Sequence, residues 1–184
     1  MATPAEKLAT SLEILQQLQG EGKVAIRSTD LTRIHRERLQ KNGFLQEVMK
    51  GWYIPVRPDD QEGESTAWYT CFWDFCASYL QERFGDNWCL SPEQSLLLHT
   101  GNRTVPYQLV VRTPKGGNKE TRLPFDTALL DIRSSMPEDK YVSNLGGLRL
   151  FSVPVALITS SPSFFRQCPS EARAAVAMLA DASD

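Results

Sequence analysis

The sequence lacks a hydrophobic segment long enough to cross a bilayer: no apolar run in its 184 residues approaches the ~20 that a spanning helix needs. Its amino terminus, MATPAEKLATSLEILQQLQ, has neither a basic start nor a continuous apolar stretch, so a leader is not expected. The protein is read as cytoplasmic, without a membrane partner. Cysteine is scarce. Cys71, Cys76, Cys89 and Cys168 stand in apolar surroundings and are too few for a disulfide framework, so reduced thiols are expected. The only histidines are His35 and His99, and nothing local activates a cysteine beside either of them as a nucleophile. A zinc site built from Cys71, Cys76, Cys89 and His99 is disfavoured, because residues five apart on a helix diverge by about 140° whereas ligand pairs usually sit two to four residues apart. The turn Pro114-Lys115-Gly116-Gly117-Asn118-Lys119 lacks the glycine-rich loop before GK[ST] that cradles phosphates. Asp59-Asp60 is a carboxylate pair in a loop, better explained by solvation than by acid-base work. No internal repeat is evident. These absences together point away from an enzyme and from any metal or cofactor.

What is present is an ordinary globular composition, 41% hydrophobic and 23% charged, with a local charge anomaly. Residues 23 to 57 carry eight Lys/Arg against three acids, net +5, while the whole chain is −2 and the remainder therefore −7. Phosphate neutralisation requires only the docking surface to be cationic, so a basic stretch on an acidic protein is informative. Lys23 to Val56, KVAIRSTDLTRIHRERLQKNGFLQEVMKGWYIPV, reads as a short strand, a basic helix and a two-stranded hairpin, the order of a winged helix-turn-helix. Thr29 or Asp30 is expected to cap the helix, Leu31, Ile34 and Leu39 to form its buried face, and Asn42-Gly43 to stop it. Thr32, Arg33, Arg36, Gln40 and Lys41 then lie opposite the buried face at about 100° per residue. His35 and Arg38 border the buried stripe. If the helix is continuous, Thr32, Arg33, Arg36 and Gln40 are the base-facing candidates, and Arg27, Lys41 and Lys50 are the phosphate-holding ones, Lys50 on the wing. Charge alone does not distinguish DNA from RNA.

Around this stretch, residues 4 to 19 predict a helix with a stripe of Leu8, Leu12, Leu15 and Leu18, ended by Gly20 and Gly22, and Trp52 and Tyr53 are expected to close a small core. Pro55 to Glu64, with two prolines, a glycine and four acids, has the composition of a linker or surface loop, and residues 58 to 64 are read as the linker between a 1–57 domain and a 65–184 domain. A helix over 65 to 84, capped by Ser65 or Thr66, should bury Trp68, Phe72, Phe75, Cys76 and Tyr79. Ser91 followed by Gln94 is a capping-box pattern, with Pro92 at the first helical position and Gly101 at the end; His99 near that end is read as structural. Val105 to Thr113 alternates with Tyr107, Leu109 and Val111 inward. The turn at 114–119 should reverse the chain into further strands near 121–123, 128–133 and 147–153, followed by a short helix around 155–160. Ser170 to Asp184 predicts a helix burying Ala172, Val176 and Leu179; it lacks a closing glycine, proline or basic turn and is expected to be cut rather than finished. The fold class is α+β: an N-terminal winged helix-turn-helix followed by a mixed α/β domain with a small, largely antiparallel sheet.

Gly51-Trp52-Tyr53, Leu90-Ser91 through His99-Thr100-Gly101, and Gly147-Leu148-Arg149-Leu150 together resemble, in order, motifs of AbiEi-type antitoxins and related winged-helix transcriptional regulators, over roughly residues 23 to 180. The sequence departs from that pattern in the few residues between Ser28 and Arg33 and in the threonine between His99 and Gly101. The resemblance implies a DNA-binding regulator, an autorepressing antitoxin with a toxin partner, acting as a homodimer on repeated half-sites. The stretch also resembles the region preceding the catalytic domain of some long Fic-type AMP-transferases, which implies instead a non-catalytic interaction module of a larger protein. The His-Pro-Phe loop of Fic catalysis is absent, since His35 and His99 are followed by Arg36 and Thr100.

Overall fold

The computed structural model describes residues 3–59 and 64–181. Its elements are mixed α+β: seven helices and three small sheets among the described residues. No helix among them is long and apolar enough to cross a membrane.

Two compact units divide the chain: Met1–Tyr79 with Leu123–Phe125, and Leu80–Arg122 with Asp126–Asp184. Of the segment 58–64 expected as a linker, residues 60–63 lie outside the described residues.

The first unit opens with α1 (Pro4–Gly20), whose capping box joins Thr3 and Glu6. Leu15 and Leu18 are buried and Leu12 packs beside them, as the leucine stripe requires. Strand β1 (Ile26–Arg27) is followed by α2 (Arg33–Lys41), then β2 (Leu45–Met49) and β3 (Trp52–Pro55). The three strands form one antiparallel sheet in the order β1-β3-β2. Pairing of Met49 with Trp52 leaves Lys50-Gly51 as a two-residue turn, with Gly51 at φ +83° where a side chain would be strained. Ile26, Leu31, Leu39, Leu45 and Tyr53 complete the core with the α1 leucines. Trp52 instead packs edge-on against Phe75 and Tyr79 of α3 (Thr66–Phe84). The aromatic positions expected inside on α3, from Trp68 to Tyr79, are all buried.

Two expectations for α2 are corrected. The cap is Thr32, whose side chain accepts from the His35 amide, and not Thr29 or Asp30. Asp30 instead accepts from the Arg27 amide at 2.8 Å and closes a turn over residues 28–30. Leu31 is thus buried from the turn and does not belong to the helical stripe. Without it the stripe rotates onto Leu39, leaving Ile34 65% exposed.

In the second unit, β4 (Cys89–Leu90), β5 (Gln108–Thr113), β7 (Ala128–Arg133) and β6 (Lys119–Arg122) form a sheet in that order. Its outer pairs are antiparallel, but β5 and β7 run parallel in register from Gln108/Ala128 to Thr113/Arg133. The turn after β5 does reverse the chain, yet β7 inserts between β5 and β6. Strand β5 begins at Gln108, so Tyr107 lies before it and is 73% exposed, while Leu109, Val111 and Thr113 point inward.

Helix α4 (Pro92–His99) is capped by Ser91, whose hydroxyl accepts from the Gln94 amide. The reciprocal half of the box does not form, because the Ser91 amide donates to the Val110 carbonyl instead. A separate hairpin, β8 (Val142–Leu145) with β9 (Leu148–Phe151), precedes α5 (Val153–Thr159), α6 (Pro162–Gln167) and α7 (Pro169–Asp181). Strand β8 and helix α6 have no counterpart in the sequence reading. Phe151, Ala156, Phe164, Ala172 and Ala175 form the core here with Cys89 and Leu96. On α7 Ala172 and Ala175 go inside, and Val176, expected with Ala172, is 56% exposed.

Candidate functional site

The candidate surface lies in the first unit, on α2 and the turn between β2 and β3. Around the α2 axis Leu39 faces the core, and His35 and Arg36 flank it. At about 100° per residue the diametrically opposite positions are Arg33, Glu37, Lys41 and Ile34, all four exposed.

The seven residues proposed from sequence fall into three groups. Arg33, Lys41 and Lys50 are exposed, Lys50 at the β2–β3 turn. Of these Arg33 already has a partner: its Nε donates to Glu37 Oε1 at 2.6 Å, one turn on, and that carboxylate raises the Arg33 pKa above its ordinary value. Both side chains are largely exposed, so the pair adds little stability and is free to exchange for another partner.

Arg36 and Arg27 are turned to structural use. The Arg36 guanidinium lies 5.6 Å from the centre of the Tyr53 ring and donates from Nη1 to the Ser28 carbonyl at 3.0 Å, tying α2 to the turn that precedes it. Arg27 Nε lies 3.7 Å from Asp30, which also takes an ion pair from Lys23 at 3.7 Å. Thr32 is occupied as the cap, and Gln40 is half-buried. His35 and Arg38 border the core as expected: His35 Nδ1 lies 2.9 Å from Ser11 Oγ, and Arg38 Nη1 donates to the Lys7 carbonyl and to Ser11 Oγ, clamping α2 onto α1.

Sequence reasoning missed Ile34 and Glu37, which share the outer face with Arg33 and Lys41. The signal was present in Thr32, which heads an Thr-Arg-Ile-His segment in which the fourth residue supplies the capped amide; a helix begun there places Ile34 in the first turn.

His99 Nε2 is 2.8 Å from the Phe151 carbonyl and so carries the proton it donates there. The glycine-rich turn at 114–119 has its own anion: Asp131, fully buried, accepts from the Gly117 amide at 2.7 Å and the Lys119 amide at 3.4 Å. No group of three or more metal-ligating side chains occurs among the described residues.

Burial disfavours the thiolate at three of the cysteines, Cys71, Cys76 and Cys89. Burial pushes Cys71 up to about 12 and Cys89 up to about 11, and it pushes Cys76 higher still. Alkylation of these three by iodoacetamide at pH 8 is expected to be at least about 100-fold slower in the folded protein than after guanidinium unfolding, because only the thiolate attacks. Peptide mass spectrometry would check it, and equal labelling in the two states would show that these sites open to solvent.

No family model, no curated protein and no solved structure matches the chain.

Proposed function

We propose that the first unit is a winged helix that binds double-stranded DNA, with α2 in the major groove and the β2–β3 turn as the wing, in a transcriptional regulator that is not itself an enzyme. The observation that carries this reading is the outer face of α2. A nine-residue helix presents Arg33, Ile34, Glu37 and Lys41 to solvent, and the strand pair that follows it directly carries Lys50 at its tip. Donor, acceptor and aliphatic groups side by side match the edges a major groove offers, and the first turn of a recognition helix is the part that meets them. Lys41, Lys50 and Arg27 are the phosphate contacts; Arg27 would exchange its Asp30 partner for phosphate.

Three phosphate contacts give a salt slope of about −2.7 and a loss of about 40-fold in affinity between 50 and 200 mM salt. The test is a titration of labelled DNA from upstream of the protein's own gene, at both salt concentrations and with unrelated DNA as competitor. Binding that resists competitor and weakens in that proportion is expected, and replacing Lys41 and Lys50 together with alanine should reduce the slope to about −0.9. Absence of binding at low salt would sink the reading.

A second reading, a non-catalytic module that docks on a toxin or an appended catalytic domain, is favoured by Phe165, Val176 and Met178, which are 38 to 56% exposed on α6 and α7. It predicts no DNA affinity above that for competitor.

A further inference from the structure

Ile34 is the second residue of α2, in its first turn, and is 65% exposed. A β-branched aliphatic side chain in that position adds nothing to the core, and its neighbours along the helix are charged. Arg33 precedes it, Glu37 and Arg38 lie one turn on, and Lys41 lies two turns on; all of these residues except Arg33 also line the groove that Ile34 shares with Lys7 of α1.

The groove around Ile34 combines the apolar Pro4, Ala5 and Leu8 with three cations, Lys7, Arg38 and Lys41, against one acid, Glu37, so an aliphatic group here stands on a net-cationic surface that complements a polyanion. It fits a major groove well. The floor of that groove is polar at every base pair except where thymine places its 5-methyl group, so the one apolar contact available there is set among donors and acceptors. On α2 the same arrangement is present in complement: Arg33 to donate, Glu37 to accept and Ile34 beside the pair as the apolar member.

We infer that Ile34 is a specificity-determining residue that packs on the methyl group of a thymine, fixing a T·A pair at one position of the binding site. Arg33 and Glu37 read the adjoining base edges. As the DNA docks, Arg33 turns from Glu37 to a guanine, and Glu37 accepts from a cytosine amino group. This inference rests on the DNA-binding reading above.

The experiment starts from a randomised duplex library selected on the full chain, so that no operator need be known. The selected duplex is then resynthesised with deoxyuridine replacing each thymidine in turn, which removes one methyl group and leaves every hydrogen-bonding atom in place. For the unaltered protein one position is expected to lose about fourfold in affinity, the effect of one buried methyl group. Ile34→Ala is expected to bind the thymidine and deoxyuridine duplexes equally at that position, while still losing affinity with salt as the parent does. The variant changes an exposed side chain, and an unchanged melting temperature shows that it folds.

Three outcomes overturn the inference, and they are distinguishable. If the library yields no enriched duplex, the DNA-binding reading falls and this inference falls with it. If a duplex is enriched but no deoxyuridine substitution weakens it, the DNA-binding reading stands and the methyl contact is absent. If Ile34→Ala shows the same penalty at the same position as the parent, the methyl group is read by another residue.

Discussion

Gly116→Ala is expected to destabilise the second unit by about 3 kcal/mol or more, at the upper end of overpacking costs. A methyl group on Gly116 would stand 2.6 Å from the Arg133 amide nitrogen, 2.6 Å from the Ile132 carbonyl carbon and 2.9 Å from the Arg133 Cα. All three are main-chain atoms at the end of β7, so no side-chain rotation relieves the clash. The strand end must move, and there it is paired with β5 at Thr113/Arg133. Three hydrogen bonds would stretch with it: Arg133 Nε to the Gly116 carbonyl at 3.0 Å, the Arg133 amide to Asn118 Oδ1 at 2.8 Å, and the Ser134 amide to the Thr113 carbonyl at 3.1 Å. The requirement at Gly116 is for space alone, since its backbone is not left-handed. Gly117→Ala is the matched control. Its added methyl would meet nothing nearer than Asp131 Oδ1 at 3.5 Å, an ordinary contact, and its cost should stay under about 1 kcal/mol. Urea unfolding followed by circular dichroism separates the two variants. Equal stabilities would mean that the turn moves off β7 at little cost.

This turn shows why some of the molecule could be read from sequence and some could not. Helix α1 was legible because its leucines repeat at helical spacing and its end is marked by Gly20 and Gly22. The β2–β3 hairpin was legible because Lys50-Gly51 separates two short apolar runs, and α4 because Ser91-Pro92 starts a helix by local chemistry alone. The insertion of β7 between β5 and β6 was not legible: strand order depends on contacts distant in sequence, and β6 (Lys119–Arg122) is short and largely exposed. The alanines that bury α7 carry little hydrophobic signal, so Val176 drew the stripe to the wrong side. At the candidate site the chain's basic character was plain, but which cations remain outward was not. Arg36, read as outward, faces inward because Tyr53 and the Ser28 carbonyl receive it, whereas Arg38 borders the core as its helical position implies and is fixed there by the Lys7 carbonyl and Ser11 of α1. Neither partner can be assigned before the tertiary fold is known. Ile34 was misplaced for a local reason instead, the inclusion of Leu31 in a helix that starts two residues later.

Asp131→Ala should cost about 3 kcal/mol, and the reason lies in the same turn. The carboxylate has no solvent exposure and is held from two sides. Oδ1 accepts from the Gly117 amide at 2.7 Å and from the Lys119 amide at 3.4 Å, and Oδ2 lies 2.7 Å from Arg83 Nη2 in an ion pair whose angle falls outside good hydrogen-bond geometry. Removing it strands the Gly117 amide and takes away the carboxylate that faces Arg83. Breaking a buried pair costs about 3–5 kcal/mol in general, and the lower end applies because the Arg83 side chain is 34% exposed and can turn to water. Asp131→Asn keeps an acceptor for Gly117 but not the charge, so it should lie about midway between the parent and the alanine variant. Hydrogen exchange supplies a local readout, with the Gly117 amide expected to lose protection in Asp131→Ala and to keep most of it in Asp131→Asn. A cost under about 1 kcal/mol for the alanine variant would show that the carboxylate does not hold the turn. Because Gly116 and Asp131 fix one turn from opposite sides, their substitutions should be less than additive: once either has released it from β7, the second has little left to break. Additive costs would mean that the two act on separate parts of the unit. The arrangement also disfavours an anion at this glycine-rich turn. Its inward amides are already directed at a carboxylate of the same unit, and an incoming phosphate would have to displace that buried negative charge.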